Sequence, residues 1–147
     1  MARLLPVLVV LIAVLAGGGA GLWMRPDGAE PPSSGPPDLA GADFVRMNNQ
    51  FVVPVIGQGR VVAMVVLSLS IATDPGGSER VFLQEPRLRD AFLQTLFNHA
   101  NMGGFEGNFI EAGSMTLLRG ALRETAQAVL GPLARDVLVV DIVRQDL

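Results

Sequence analysis

The side chains of this sequence that could carry out chemistry are few and scattered. The chain has 147 residues, a single histidine and no cysteine. His99 stands beside Asn98 and Asn101 near the end of a predicted helix, and an imidazole that titrates near neutrality can act as a general base. A nucleophile such as Ser114 or Ser78 would have to lie beside it, and the spacing does not indicate this. We interpret His99 as a partly buried capping side chain at a helix end.

The acidic residues do not predict a metal centre. Asp136, Asp141 and Asp146 recur every five residues, so on a strand successive members point to opposite faces. One histidine without cysteine argues against zinc, because zinc sites use several nitrogen or sulfur ligands. Glu106 and Glu111 lie in an irregular segment with no sign of an acid/base pair. We expect a protein that is not an enzyme and holds no metal or cofactor.

Two further classes of ligand are disfavoured. The glycine-rich turn at residues 57–59 precedes a predicted strand, whereas a phosphate loop precedes the N-terminus of a helix. The net charge is -3 and no run of basic residues occurs, so the electrostatic pattern of a nucleic-acid-binding protein is missing. We therefore expect no nucleic-acid partner.

The elements that would position these residues begin with a β-hairpin near Phe44, where the predicted domain starts. Residues 51–56 (FVVPVI) predict a short strand, and Pro54 within it favours an edge position. Residues 60–73 predict a longer strand, whose second half alternates between apolar and small or polar side chains. The apolar set is Leu67, Leu69 and Ile71, and the other set is Ser68, Ser70 and Ala72.

Two helices are predicted to follow the hairpin. After a loop and a short extended piece at residues 80–84, Pro86 opens the first helix as a proline at its first position, and the helix ends at residues 101–104 (NMGG). Ser114 is predicted to cap the second helix, which runs to Leu130.

A final strand at residues 136–146 completes the order β-β-α-α-β. This order predicts an α+β fold in which a small antiparallel sheet packs against helices. Leu138, Val140 and Ile142 are predicted on one face, and Val137, Val139, Asp141 and Val143 on the other.

A membrane anchor is predicted at the N-terminus. Residues 4–24 carry no charge and are long enough, as a helix, to span about 30 Å of hydrocarbon. Arg3 before this span points the N-terminus to the cytoplasm. The alternative is a cleaved signal peptide, and both interpretations export the rest of the chain. Residues 25–43 are rich in proline and predict a spacer, which leaves residues 44–147 for the domain.

A charged cluster suggests where a partner could bind. Arg87, Arg89 and Asp90 stand in the predicted first turn of the first helix, and arginine is enriched at protein interfaces. The alternative is a solvated helix end. Pro54 blocks only part of one sheet edge, and an open edge invites pairing. These four residues are our candidates for a partner interface.

Four segments together resemble FliL proteins, which are flagellar basal-body-associated proteins, in the alphaproteobacterial form of the family. Residues 47–55 (MNNQFVVPV) are similar to the start of the family's periplasmic domain, and residues 85–93 (EPRLRDAFL) to its first long helix. Residues 118–130 and 136–145 resemble its closing helix and strand.

The resemblance implies a single-pass protein of the inner membrane with a periplasmic, stomatin-like domain. It also implies association with the stator units of the flagellar motor, an effect on rotation and motility, and assembly into a ring. No active site is implied. A generic envelope protein for interaction or small-ligand binding, with the same topology, is the alternative.

Overall fold

The computed structural model describes residues 38–147. The predicted anchor at residues 1–24 and all but the last residues of the predicted spacer lie outside the described residues. Between residues 38 and 147, no helix combines the length and apolar character needed to cross a bilayer.

The described residues form an α+β fold with one small antiparallel sheet and two helices, as the sequence predicted. The elements, in chain order, are β1 (Asp43–Arg46), β2 (Phe51–Gly57), β3 (Arg60–Thr73), α1 (Ser78–Asn101), α2 (Ala112–Leu130), a short 3-10 helix (Gly131–Leu133) and β4 (Ala134–Asp146). The predicted hairpin is confirmed as β2 and β3.

The long strand β3 is the centre of the sheet. β4 runs antiparallel along one side of it, and β1 and β2 share the other side, end to end. Phe51 pairs with Leu67, and Arg46 pairs with Ser70. β1 was not predicted, because four residues are too few to show a clear alternation of apolar and polar side chains. They form a strand because β3 extends beyond the end of β2 and pairs with them there.

Both helices pack on one face of the sheet and enclose the core. Phe51 of β2 and Phe92 of α1 meet edge to face, with ring centroids 6.1 Å apart. The largest fully buried side chains are Phe51, Phe92, Phe105, Leu67, Leu69, Ile71, Leu88, Leu96, Leu118 and Leu122. Burial of this apolar surface is the main force that holds the helices to the sheet.

The start of α1 was predicted wrongly. The helix begins at Ser78, so the predicted extended piece at residues 80–84 is helical and Pro86 lies in the helix interior. Val81 is buried at the contact between helix and sheet, so the part of α1 that precedes Pro86 also packs against the core. The predicted end of the helix at Asn101 is confirmed.

The start of α2 also differs from the prediction. Glu111 precedes the helix, no side chain caps it, and Ser114 lies within its first turn. The end at Leu130 is confirmed, and Gly131 follows with φ +68°, a conformation that favours glycine.

A β-bulge in β4 changes the predicted faces of this strand. Ser68 pairs with Asp141 and Leu69 pairs with Val139, which leaves Val140 as an extra residue. Side-chain alternation therefore restarts after Val140. As a result, Ile142 packs against the core with Val139, and its predicted placement beside Leu138 is wrong.

Candidate interaction surfaces

Arg89 is a structural clamp between α1 and the start of β2. Its Nη1 donates to the carbonyl oxygen of Asn48 at 2.6 Å, and its Nη2 donates to that of Gln50 at 2.9 Å. The guanidinium carbon lies 4.6 Å from the centre of the Phe51 ring, which adds a cation-π contact. The geometry thus commits this side chain to contacts within its own domain.

Glu85, one helical turn before Arg89, binds the same connection. The backbone N–H of Asn48 donates to its Oε1 at 3.1 Å, and the Asn48 side-chain amide donates to its Oε2 at 2.8 Å. Together Glu85 and Arg89 hold residues 47–50, where Asn49 has φ +60°. Both side chains hold the turn that separates β1 from β2.

Arg87 and Asp90 are exposed on the helical layer. They line a shallow depression of ≈ 360 Å³ between α1 and α2, together with Pro86, Ala91 and Val129. Arg87 Nη1 donates to Gln84 Oε1 at 3.3 Å, and Gln94 Nε2 donates to Asp90 Oδ2 at 3.1 Å. Both charged groups are therefore available to a partner.

Pro54 lies on the other side of the domain, because it pairs with Met64 on the sheet face that turns away from the helices. The fold thus divides the four candidate residues among an internal clamp, the helical layer and the far face of the sheet. It does not bring them together as one patch.

That far face, which we call the outer sheet face, was missed from the sequence. Its apolar members are Phe44, Val52, Pro54, Ile56, Met64, Val66, Leu138 and Val143, and its polar members include Arg46, Asp136, Asp141 and Gln145. Several members are large, apolar and exposed, namely Phe44 at 55%, Val52 at 47%, Ile56 at 51% and Val143 at 48%. The sequence did contain a signal for this face. The run FVVPVI is apolar at both alternating sets of positions, whereas a strand with one solvated face would be polar at one of the two sets.

His99 packs at the C-terminal end of α1. Its ring meets Phe105 edge to face, with centroids 4.9 Å apart. Burial lowers its pKa below the ordinary value of 6.5, against the opposing effect of a backbone hydrogen bond with Gly104. Ser78 begins the same helix, 21 residues or about 30 Å away. The described residues show no side-chain hydrogen bond from His99 to Ser78 or Ser114.

An open cleft of ≈ 420 Å³ runs between the two helices beside His99. Thr95 of α1 and Thr125 of α2 join their hydroxyl groups across it at 2.7 Å. The cleft also contains Glu124 and Asn98. It has polar groups but is wide open to solvent.

The carboxylates do not converge within residues 38–147, where no group of three or more histidine, cysteine or acidic side chains could hold a metal ion. Because of the bulge, Asp136 and Asp141 face the same way, contrary to the alternation that the sequence predicted. Their partners on β3, Ala72 and Ser68, are four residues apart, which corresponds to about 13 Å.

Comparison with known proteins adds no relationship: no protein-family model and no curated protein matches this chain.

Proposed function

We propose that this protein is a non-enzymatic interaction module of the bacterial envelope. In this proposal it is a FliL-type protein that binds and supports the stator units of the flagellar motor and so affects rotation and motility. The observation that carries the proposal is the outer sheet face. Val52 and Val143 both pair with Val66 on this face, and exposed apolar side chains grouped in this way on a small domain mark a site of protein contact.

The arrangement of the chain supports a domain that is held from one end. Residues 38–43 lie at what we call the entry end, where Gly76 donates to Asp43 and Arg135 Nη1 donates to the carbonyl of Ala40 at 3.2 Å. The β2–β3 turn and the loop after α1 lie at the opposite, distal end, where Arg144 Nη1 donates to the carbonyl of Phe105.

Contacts between segments that resemble FliL proteins also support the proposal. The segment at residues 47–55 includes β2 and the turn before it, and the segment at residues 85–93 supplies Glu85 and Arg89, which bind that turn. Two separate stretches of resemblance therefore form one structural unit.

Deletion of the gene, scored by swimming and by complementation, tests the motor role. We expect reduced swimming in the deletion strain and recovery with the wild-type chain. Val52→Glu and Val143→Glu place charges on the outer sheet face and should complement poorly at normal membrane levels. Leu117→Glu is a matched control, since Leu117 is exposed on α2 and is not part of that face.

Normal swimming of the deletion strain would reject the motor role and favour the alternative, a generic envelope protein for interaction or small-ligand binding. Full complementation by both glutamate variants would instead reject the outer sheet face as the contact. An alkaline phosphatase fused to the C-terminus should be active if the domain lies in the periplasm, and recovery of the fusion with the membrane rather than with the soluble periplasm distinguishes an anchor at residues 4–24 from a cleaved signal peptide.

Assembly into a ring is part of the same proposal. A ring needs two different surfaces that meet head to tail. The exposed Arg87 and Asp90 and the edge of β2 lie on different sides of the domain, which suits this requirement. Arg87→Cys combined with Val52→Cys, in a chain without cysteine, should give a ladder of cross-linked multimers in membranes. Monomer alone in motile cells would reject the ring.

A further inference from the structure

β4 presents a long free edge. Its 13 residues bond to β3 on one side, and no strand within residues 38–147 pairs with the other side. Proline and lysine, two common means of protecting such edges, are absent from β4, although the strand contains the bulge at Val140 and the charged residues Asp141 and Arg144. The opposite edge of the sheet is protected in part by Pro54. A free edge of this length can accept another strand whose side chains match it.

On each side of the bulge at Val140, β4 has one apolar side chain that faces the core and one that lies on the outer sheet face. Before the bulge, Val139 faces the core and Leu138 belongs to the outer sheet face. After the bulge, Ile142 faces the core and Val143 belongs to the outer sheet face. The strand is therefore apolar on both faces on either side of its centre.

We propose that two copies of this chain pair antiparallel through β4, about a two-fold axis between Val140 and Asp141. Leu138 then lies opposite the partner subunit's Val143 on the outer sheet face. Val139 lies opposite the partner subunit's Ile142 on the core face. Each contact occurs twice, so four apolar pairs join the two four-stranded sheets into one continuous sheet.

The charges favour this register over its neighbours. It opposes no like charges, and it places the partner subunit's Asp146 near Arg135, a bulged residue whose guanidinium also bonds to Asp74. A shift by one pair in one direction would place Arg135 opposite the partner subunit's Arg144. A shift in the other direction would place Leu138 opposite the partner subunit's Gln145. The proposed register also places Val137 opposite the partner subunit's Arg144, so it is favoured by its four apolar pairs and the absence of like-charge pairs.

The surface beside this edge has room for an added strand. A depression of ≈ 270 Å³ lies between α2 and the first half of β4, lined by Leu39, Arg119 and residues 136–139. Core-facing side chains of an added strand would project into it. Leu39 reaches this depression, but no backbone hydrogen bond joins residues 38–42 to β4. The hydrogen-bonding edge itself is thus open along the described chain.

Cysteine cross-linking of the full-length chain in its native membranes tests the register. Leu138→Cys combined with Val143→Cys should give a disulfide-linked dimer under mild oxidation. Leu138→Cys combined with Gln145→Cys is the matched control, because both positions lie on the same sheet face but are out of register. The control should give little dimer. Equal cross-linking of the two variants, or none with the first, would overturn the proposal.

A charge exchange provides a second test that does not depend on oxidation. Val143→Lys alone and Leu138→Glu alone should each abolish the dimer seen with a chemical cross-linker. The double variant should recover it, because each ammonium group would then face a carboxylate across the two-fold axis. Failure to recover, in a double variant with native circular dichroism, would also overturn the proposal. The pairing does not depend on the motor role, and a normally swimming deletion strain would leave it intact.

Discussion

Arg89 on α1 donates a 2.6 Å hydrogen bond from Nη1 to the backbone carbonyl of Asn48, 41 residues earlier in the chain. This bond fixes the turn between β1 and β2 against the helical layer. The carbonyls of Asn48 and Gln50 are exposed, so without the arginine they would bond to water and the turn would lose its tie to α1. The relationship therefore identifies Arg89 as a residue that stabilises the fold.

We predict that Arg89→Ala lowers the free energy of unfolding by about 1–2 kcal/mol, since two charge-assisted hydrogen bonds and a cation-π contact are lost. Arg87→Ala, two residues away and exposed, should change it by less than about 0.5 kcal/mol. Urea unfolding of the detergent-solubilised chain, followed by circular dichroism, measures both. Equal effects of the two substitutions would contradict the clamp.

Gly104 is required by the His99 ring. A Cβ at position 104 would clash with the imidazole, whose atoms lie too close to allow it. We predict that Gly104→Ala destabilises the protein by about 1–3 kcal/mol, the usual cost of overpacking. Combined with His99→Ala, the same substitution should cost less, since the clash is removed, and a double-mutant cycle of thermal unfolding measures this coupling.

Gly120 provides the control for that experiment. It lies inside α2 with no atom near the position of a Cβ. Gly120→Ala should therefore raise stability by about 0.5–1 kcal/mol through its effect on the unfolded chain. If Gly120→Ala instead lowered the stability, the glycine would be required there for a reason other than lack of space for a Cβ.

His99 should make stability depend on pH. Its native pKa lies below the ordinary value of 6.5, so the native state binds the proton less readily than the unfolded state. Above the ordinary value of 6.5 the imidazole is neutral in both states and has no effect; stability falls as the pH drops from 6.5 towards the native pKa and levels off below it. Melting temperatures measured between about pH 7 and pH 5 should fall less for His99→Gln than for the wild type. Parallel curves would remove His99 as the cause.

Pro86 interrupts the hydrogen bonds inside α1, because proline has no N–H to donate to the carbonyl of Phe82. We predict that Pro86→Ala raises the free energy of unfolding by about 1–2 kcal/mol, less than the full interior cost because the unfolded chain also gains freedom. Pro132→Ala should give no gain, since Pro132 is the second residue of the 3-10 helix that begins at Gly131, where the missing donor costs little. Chemical denaturation compares the two, and destabilisation by Pro86→Ala would show that the proline is needed in place.

Local patterns in the sequence were sufficient for much of the fold. The hairpin of β2 and β3 follows from two apolar strands and a glycine turn, and both helices end where glycine follows them. These signals are local because turns and caps depend on the backbone preferences of a few adjacent residues. The sequence also indicated that Pro54 lies on a strand at the sheet edge, where the structure places it.

Other features depended on tertiary contacts. β1 is a strand because β3 offers it an edge, and α1 extends before Pro86 because Val81 reaches the core. The bulge at Val140 reversed the face of every later side chain in β4, and no residue type announces it. Arg89 bonds to a backbone carbonyl 41 residues earlier in the chain, a contact that the sequence does not show. Its charge alone suggested an exposed interface residue. Tertiary packing decided these features because their energies come from partners that the chain brings together only when it folds.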